Sequence, residues 1–301
     1  MPELPEVETT VRDLQTIVGR IIEDAWTDFP KMVKKPKDFE IFRREIKRGK
    51  IQKILRKGKN ILFNLSNKKT LLVHQKLTGH LLYGKWRKKN GEWESELTGP
   101  LADDPMNRFL HFILWLDDGK MLALSDLRKF AKVELWDNEE FKKNPELKSL
   151  GPDPLEKSFT FEVFKKIFKN KIPLQGKPYL RKGKVKQVLM EQTVIAGIGN
   201  IYSDEILWQA KIHPFKEVSR LSDQELKKIY KSMQDILLKA IKRGGESISD
   251  FRRISGEKGE FDPLRKVYRR EGKPCLRCGT EIQRKKIGGR SSHFCPSCQS
   301  L

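Results

Sequence analysis

The chain has 301 residues with 62 Lys or Arg against 40 Asp or Glu, which gives a formal net charge of +22 at pH 7. This charge exceeds what solubility requires and indicates a polyanionic partner, with nucleic acid as the leading candidate and an anionic membrane surface as the alternative. No apolar run approaches the roughly 18 residues of a spanning helix, and the amino end lacks the basic-then-apolar pattern of a signal peptide. We therefore expect a cytoplasmic protein that does not enter a membrane.

The chain begins MPELPEVETT, and its apolar residues recur at spacings of three and four. These residues define one face of a predicted first helix: Leu4, Val7, Val11, Leu14 and Val18. Pro5 lies near the first helical position, where proline is well tolerated. Pro2 and Glu3 precede this helix, where neither capping nor core packing requires them. The local structure therefore leaves both residues without an explanation.

The first half contains short segments in which apolar and polar residues alternate or in which apolar residues are consecutive. These segments predict a β-rich first half. They are IIEDAWTDF, KIQKILRKGKNILFNL, TLLVHQKLTGHLLYG, RFLHFILWL and KMLALSDLRKFAKVELW. The pair Asp118 and Gly119 predicts a tight turn, and hence a hairpin, between FLHFILWL and KMLALSD. Between Tyr83 and Arg108 the periodicity is weak and turn residues are frequent. We expect residues 84–107, hereafter the excursion, to be a long surface loop.

Helical periodicity replaces strand periodicity after a proline- and glycine-rich stretch, which predicts a domain boundary. The punctuating residues are Pro145, Gly151, Pro152 and Pro154. The predicted helices are FTFEVFKKIFKN, KVKQVLMEQTVI, IYSDEILWQAKI and DQELKKIYKSMQDILLKAIKR, the last ended by Gly244 and Gly245. Asn200 is placed to cap a helix that begins at Ile201, whose free amides would suit a phosphate. A plain corner between two helices explains Asn200 equally well.

All four cysteines lie near the carboxyl end as two C-x2-C pairs separated by sixteen residues, at Cys275, Cys278, Cys295 and Cys298. This spacing predicts one tetrahedral zinc ion held by four thiolates. Such a site is structural, because four protein ligands leave no position for water or substrate. His293 is expected to lie outside the ligand set. Between the pairs, Arg290 could reach a phosphate with its fork of donors, although an ordinary exposed arginine at a turn explains it equally well.

Several segments, in order from Pro2 to Gln299, resemble the formamidopyrimidine-DNA glycosylase family of base-excision repair enzymes. They are PELPEVET, RKGKNILF, HQKLTGHLL, LSDLRKFAKVEL, MEQTVIAGIGNIYSDE, VYRREGKPC and GGRSSHFCPSCQ. The resemblance implies an α+β fold of three parts. These are an N-terminal β-sandwich domain with an N-terminal helix (1–144), a helical helix-two-turns-helix domain (145–264) and a zinc-finger β-hairpin (265–301).

The resemblance also implies roles for the residues that local structure left unexplained. The family uses its N-terminal proline, freed by removal of methionine, as the nucleophile, and this implies that role for Pro2. By the same resemblance Glu3 is the acid/base partner, and Lys59 in R-x-G-K contacts phosphate or the lesion. Glu6 resembles a second active-site carboxylate, although an acidic residue also suits the first turn of a helix. We include Arg290 in the predicted catalytic set.

Three residues resemble those with which the family fills the space left by an everted nucleotide: Leu77, Arg128 and Phe130. Phe130 could instead be a core residue of a regular strand, so the predicted role of Arg128 and Phe130 requires a loop there. The family usually has methionine at Leu77, proline at Leu127 and glycine at Ala131. Alanine does not adopt positive φ as readily as glycine, so Ala131 is expected to change the shape of this loop.

The function implied is a monomeric, bifunctional DNA glycosylase and apurinic-site lyase with one structural zinc ion. It would excise 8-oxoguanine and formamidopyrimidines from double-stranded DNA through a proline Schiff base and cleave the strand by β,δ-elimination. An alternative is a relative resembling endonuclease VIII, which prefers oxidised pyrimidines. Leu4 and SISDFRRISGEKGEF, which resembles the loop that covers an oxidised purine, favour the first. Another alternative is a zinc-containing DNA-binding protein without catalysis, which would form no covalent adduct.

Overall fold

The structure is a computed structural model and describes residues 1–169, 181–248 and 250–301. Asn170, at the end of one predicted helix, and Ser249, in the predicted covering loop, lie outside the described residues. The chain divides into two compact units. Unit 1 comprises Met1–Lys148 and Ile241–Asp262, and unit 2 comprises Ser149–Ala240 and Pro263–Leu301. The boundaries of the three predicted domains stay a prediction.

The strands are β1 Ile22–Thr27, β2 Val33–Lys35, β3 Ile51–Lys57, β4 Asn60–Leu65, β5 Lys69–His74, β6 His80–Gly84, β7 Trp86–Lys89, β8 Glu92–Ser95, β9 Leu110–Leu116, β10 Met121–Ser125, β11 Lys132–Asp137, β12 Gln283–Ile287 and β13 Arg290–Phe294. The helices are α1 Leu4–Asp13, α2 Phe39–Ile46, α3 Pro100–Asp103, α4 Asn138–Phe141, α5 Pro145–Lys148, α6 Phe161–Lys169, α7 Val185–Met190, α8 Asn200–Ala210 and α9 Asp223–Lys242. Short 3-10 turns lie at Leu14–Ile17, Pro30–Met32, Pro105–Arg108, Val218–Arg220 and Asp262–Leu264. None of the described helices is both long and apolar enough to cross a membrane.

Unit 1 is built on two sheets with a shared apolar core, which confirms the predicted β-sandwich. One sheet has the strand order β1-β9-β10-β6 and the other the order β2-β11-β5-β4-β3. Alternate side chains from both sheets meet in the core, for example Phe63 and Val73 from one sheet and Phe112 and Leu124 from the other. Helix α1 buries Val7 in the same core. The amino end is therefore fixed to the sandwich by apolar burial.

The predicted hairpin is present as the antiparallel pair β9 and β10, in which Met121 lies opposite Trp115. Gly119 has φ of +73° in the turn, as the Asp-Gly pair predicts. The hairpin sets the end of β10, and the chain then turns at residues 126–131 before β11. Two predicted site residues lie in this turn.

The excursion is not the surface loop that weak periodicity predicted. It contains the antiparallel pair β7 and β8, and it buries Trp86 and Leu101 against the outer side of the β1-β9-β10-β6 sheet. Trp93 also meets Trp26 edge to face, with ring centroids 5.2 Å apart. Strands of four residues are too short to show a period of two, which explains the error.

Unit 2 contains α6 to α8, α9 as far as Ala240 and the β12–β13 hairpin. The turn between α7 and α8 is organised by the side-chain amide of Gln192. Its Nε2 donates to the carbonyl of Ile198 at 2.8 Å, and its Oε1 accepts from the Gly197 amide at 2.9 Å. Gly197 has φ of +97°, a conformation that favours glycine. One side chain thus closes the turn of the helix-two-turns-helix motif.

Candidate active site

The amino end of unit 1 brings three predicted site residues together. Pro2, Glu3 and Glu6 are all buried. The Glu6 carboxylate accepts the Glu3 amide at Oε2 and the Glu246 amide at Oε1, both at 2.8 Å. A Cβ at Gly245, whose φ is +82°, would come within 2.9 Å of Glu6 Oε1, so only glycine fits. Glu6 therefore connects the residue next to Pro2 with a segment 240 positions away, a link that sequence reasoning missed.

Lys59 lies in the turn between β3 and β4, after Gly58, whose φ is +57°. It contributes to a basic environment around His74, a residue that sequence reasoning did not single out. Burial, followed by the positive charges of Lys76, Lys59 and Lys132, lowers the pKa of His74 to about 3. His74 is therefore neutral near pH 7, while the lysines provide a positive field that suits a phosphate. The HQKLTG motif was the only sequence signal for His74.

Arg128 and Phe130 lie in the loop between β10 and β11, as their predicted role requires. Phe130 is 49% exposed, and the Arg128 guanidinium lies 4.7 Å from its ring centroid. The left-handed position of this loop is Lys129, with φ of +56°. Ala131 therefore does not need positive φ, and the reason given for expecting a changed loop is wrong. Leu77 lies in the turn between β5 and β6 and is partly buried.

A buried carboxylate connects these two loops. Asp126 accepts the Ala131 amide at 2.7 Å and the Arg128 amide at 3.3 Å, and it also accepts the hydroxyl of Thr78. The Thr78 hydroxyl in turn accepts the Arg128 amide at 3.1 Å. Asp126 and Thr78 thus hold the loop of Phe130 against the turn that follows Leu77.

By the resemblance to the base-excision repair family, we expect Thr78→Val to slow excision of a lesion base from duplex DNA by about tenfold. The loops then lose both hydrogen bonds of the Thr78 hydroxyl, one donated to Asp126 and one accepted from the Arg128 amide. Valine keeps the shape of threonine but leaves Asp126 short of a donor in a buried place. The measurement is single-turnover excision from duplex DNA beside strand cleavage at an abasic site in single-stranded DNA, which needs no eversion. Thr78→Ser should restore the duplex rate. An equal loss on both substrates would contradict a role in positioning the loops.

Asn200 is the first residue of α8, and Gly199 is the N-cap. The prediction that Asn200 caps a helix beginning at Ile201 is wrong by one residue, because Gly199 already adopts the extended backbone that an N-cap requires. Its Oδ1 is buried and has no hydrogen-bond partner among the residues that the structure describes. Asn200 remains at the amino end of an 11-residue helix, where free amides favour an anion.

The four cysteines converge in unit 2, with all their sulfur atoms within 4.8 Å of one another. Separations of 3.3 Å from Cys278 to Cys298 and 4.0 Å from Cys275 to Cys298 bracket the spacing of about 3.8 Å that four bonds of about 2.3 Å to a tetrahedral zinc ion produce. The residues therefore fit one structural zinc ion, as predicted. His293 points its ring at Asp204 and Glu271 and lies outside the sulfur cluster, also as predicted.

A buried ion pair supports the hairpin that carries Arg290. Lys186 of α7 and Asp204 of α8 are fully buried, with Nζ and Oδ1 2.7 Å apart. Lys186 also donates to the carbonyl of Ser291 at 2.7 Å, and Asp204 accepts the amide of His293 at 2.9 Å. Strand β13 is therefore fixed to both helices of the motif. Arg290, at its first position, is exposed.

A β-sandwich with buried carboxylates at its amino end, a helix-two-turns-helix turn and a zinc hairpin together define a zinc-containing DNA-binding protein. Family models match in the same order. They are "Formamidopyrimidine-DNA glycosylase N-terminal domain" over residues 1–133, "Formamidopyrimidine-DNA glycosylase H2TH domain" over 150–252 and "Zinc finger found in FPG and IleRS" over 272–301.

Two curated relatives bear the name formamidopyrimidine-DNA glycosylase. The protein from Pelotomaculum thermopropionicum is 37% identical, with both chains covered completely, and that from Bacillus cereus is 35% identical over 99% of each. A solved structure of the Lactococcus lactis protein with Fapy-dG DNA is 33% identical, with a TM-score of 0.82 and both chains fully covered. The chain belongs to the formamidopyrimidine-DNA glycosylase family, which confirms the predicted family, fold and zinc site.

Proposed function

We propose that this chain excises oxidised purines from double-stranded DNA and then cleaves the strand, with the nitrogen of Pro2 as the nucleophile. The arrangement that carries the proposal is Glu6, which binds the Glu3 amide and so holds an acidic residue beside Pro2 in a buried site. Membership of the family and the net charge of +22 support it. We further propose that the protein acts as a monomer in the cytoplasm. We also propose that it has the three predicted domains, 1–144, 145–264 and 265–301.

The chemistry requires that Met1 be removed, because only then is Pro2 a free secondary amine. An α-amino group has a pKa of about 8, so an appreciable neutral fraction exists near pH 7. The nitrogen lone pair forms a bond to C1′ of the lesion nucleotide, and the glycosidic bond breaks with its electrons leaving on the base. Glu3 acts as the general acid/base that donates and accepts protons at the sugar and at the departing base. The nitrogen lone pair then forms a C=N bond to C1′ as the C1′–O4′ bond breaks and O4′ takes a proton. The ring-opened iminium that results links the protein covalently to DNA.

The iminium acts as an electron sink for strand cleavage. A proton leaves C2′, the electrons of that bond form a C=C bond, and the C3′–O bond breaks so that the 3′ phosphate departs. In a second elimination a proton leaves C4′, and the C5′–O bond breaks so that the 5′ phosphate departs. Lys59 and Arg290 are proposed to balance phosphate charge in these steps. No oxidant, reductant or metal is consumed.

Access to C1′ requires the lesion nucleotide to leave the helix, which costs a few kcal/mol. We assign Leu77, Arg128 and Phe130 to the space that it leaves. The half-exposed ring of Phe130 suits insertion between bases, and Arg128 can donate to the unpaired base opposite. Asn200 is assigned to a backbone phosphate. The zinc ion, when bound to its four cysteines, supplies no chemistry to these steps but fixes the hairpin of Arg290.

The proposal is tested with protein whose amino end is Pro2 and duplex DNA that carries one 8-oxoguanine opposite cytosine. Borohydride should reduce the iminium and leave a protein–DNA complex that survives denaturing electrophoresis. Undamaged duplex serves as the control. A parallel duplex with an oxidised pyrimidine tests the second candidate function, since a solved Lactococcus lactis structure, 33% identical, contains such DNA. Salt-sensitive binding without any trapped complex would leave only a non-catalytic DNA-binding protein.

A further inference from the structure

The excursion has no part in the chemistry proposed above. It nevertheless makes side-chain and backbone contacts with residues 250–257, hereafter the Arg252 segment. Both belong to unit 1. The guanidinium of Arg252 binds the Asp104 carboxylate through two hydrogen bonds, Nε to Oδ2 at 2.7 Å and Nη2 to Oδ1 at 3.1 Å. The two side chains are 5% and 14% exposed. Because this ion pair is bidentate and buried, it fixes both the position and the orientation of the Arg252 side chain relative to Asp104.

Asn107 makes a second connection. Its Nδ2 donates to the carbonyl of Gly256 at 3.1 Å and to that of Pro100 at 2.7 Å. Its Oδ1 lies 3.0 Å from Nε2 of His80, which is fully buried. Burial lowers the pKa of His80 to about 4, so the ring is neutral near pH 7 and donates from Nε2 to Asn107. Both ends of the Asn107 amide are therefore used, and its orientation is fixed.

Backbone packing adds a third connection. Gly256 has φ of +83°, and a Cβ there would come within 2.8 Å of the Leu101 backbone nitrogen. The Tyr83 amide, one residue before the excursion, donates to the carbonyl of Ile254 at 2.8 Å. The Arg252 segment thus lies directly against the excursion. Any shift of the excursion must move the segment with it.

The other end of the same stretch reaches the proposed active site, because the Glu246 amide donates to Glu6. Residues 246–248 are therefore anchored beside Glu3 and Glu6, and residues 250–256 are anchored on the excursion. We propose that the excursion is a strut that sets the position of this stretch, with Asp104, Asn107 and Arg252 as positioning residues for base selection. This inference rests on the proposed function and identifies what determines the accepted base.

The physical reason is that a segment next to the reacting end can contact a base only if it is held in place before the base arrives. A displacement of about 1 Å at such a contact can cost about 100-fold in rate. Cleavage at a site that has already lost its base needs no base contact. Weakening the strut should therefore affect base excision and leave abasic-site cleavage nearly unchanged.

The test compares Asp104→Asn and Arg252→Met with Lys89→Ala, which removes an exposed ion pair to Glu94 in the same excursion. We expect both strut variants to slow 8-oxoguanine excision by about 100-fold. Cleavage of the same duplex with an abasic site should change by no more than about twofold. The Lys89→Ala protein should match the unsubstituted protein on both substrates. Asparagine has the shape of aspartate, so the first variant keeps the packing even if the second fails to fold.

Amide hydrogen exchange without DNA gives a second, independent measurement on the unsubstituted protein. The amide of Tyr83, which donates to the carbonyl of Ile254 in the Arg252 segment, should be protected. Exchange at the rate of an unstructured peptide would overturn the strut, as would equal losses on both substrates or no loss on either. If the unsubstituted protein acted on neither substrate, the proposed function itself would be contradicted. The two failures are therefore distinguishable.

Discussion

Protein that retains Met1 should form no borohydride-stable complex with lesion DNA, whereas the same chain beginning at Pro2 should form one. In the first case the Pro2 nitrogen belongs to a peptide bond and has no lone pair to donate. Loss of a nucleophile of this kind lowers turnover by about 10⁴-fold or more. Pro2→Gly, with Met1 removed, supplies a primary amine and should retain reduced trapping. Mass spectrometry of the amino end must accompany each trapping assay.

The matched control for this prediction compares two carboxylates, Glu3 at the N-cap of α1 and Glu8 within α1. Glu3→Gln should abolish base excision, because a neutral amide cannot exchange the protons that the mechanism requires. Glu8→Gln should leave it intact, since Glu8 instead pairs with Arg12 and Arg56 at 2.8 Å. Efficient trapping by the chain that keeps Met1 would show that another amine attacks, and the role of Pro2 would be abandoned.

The elements that sequence predicted best are those set by neighbouring residues. The hairpin at Gly119 follows from a two-residue turn signal, and the zinc site follows from the spacing of Cys275, Cys278, Cys295 and Cys298. The loop of Arg128 and Phe130 was predicted as a requirement of function rather than from its own sequence. Its shape depends on Asp126, whose partner Thr78 is 48 positions away.

The parts that sequence did not predict depend on long-range contacts. Asp104 and Arg252 are 148 positions apart, and neither lies in a pattern that points to the other. The excursion was interpreted as a surface loop because its strands are short, while the burial of Trp86 is visible only once the sheet beneath it is known. Lys186 is a further example, since a lysine in an amphipathic helix is normally expected to face solvent, yet here it is fully buried.

Removal of zinc should unfold the hairpin and weaken DNA binding while unit 1 keeps its structure. Few residues pack around the sulfur cluster, among them Trp208, Val267 and Ile282, and this core is too small to fold without the metal. In small zinc domains the metal contributes about 10–16 kcal/mol of apparent binding free energy, which is also folding free energy. Cys278→Ser removes one thiolate and should therefore lower both zinc content and hairpin order.

Loss of the hairpin should also destabilise helices α7 and α8. Lys186 and Asp204 would lose the Ser291 carbonyl and the His293 amide, so a fully buried ion pair would be left partly unsatisfied. We expect affinity for lesion DNA to fall by about 10- to 100-fold, with a smaller salt slope because Arg290 no longer contributes a phosphate contact. Titrations at several salt concentrations, with zinc measured in each sample, provide the check.

Ser297→Ala is the matched control, since Ser297 is exposed between Cys295 and Cys298 and supplies no sulfur. It should retain zinc and DNA affinity. Trp208 reports the state of the hairpin directly, because its Nε1 donates to Cys275 Sγ at 3.4 Å and the Arg277 guanidinium lies 4.0 Å from its ring centroid. Unchanged DNA affinity after complete metal loss would mean that the hairpin does not bind DNA, and Arg290 would then have to be removed from the proposed chemistry.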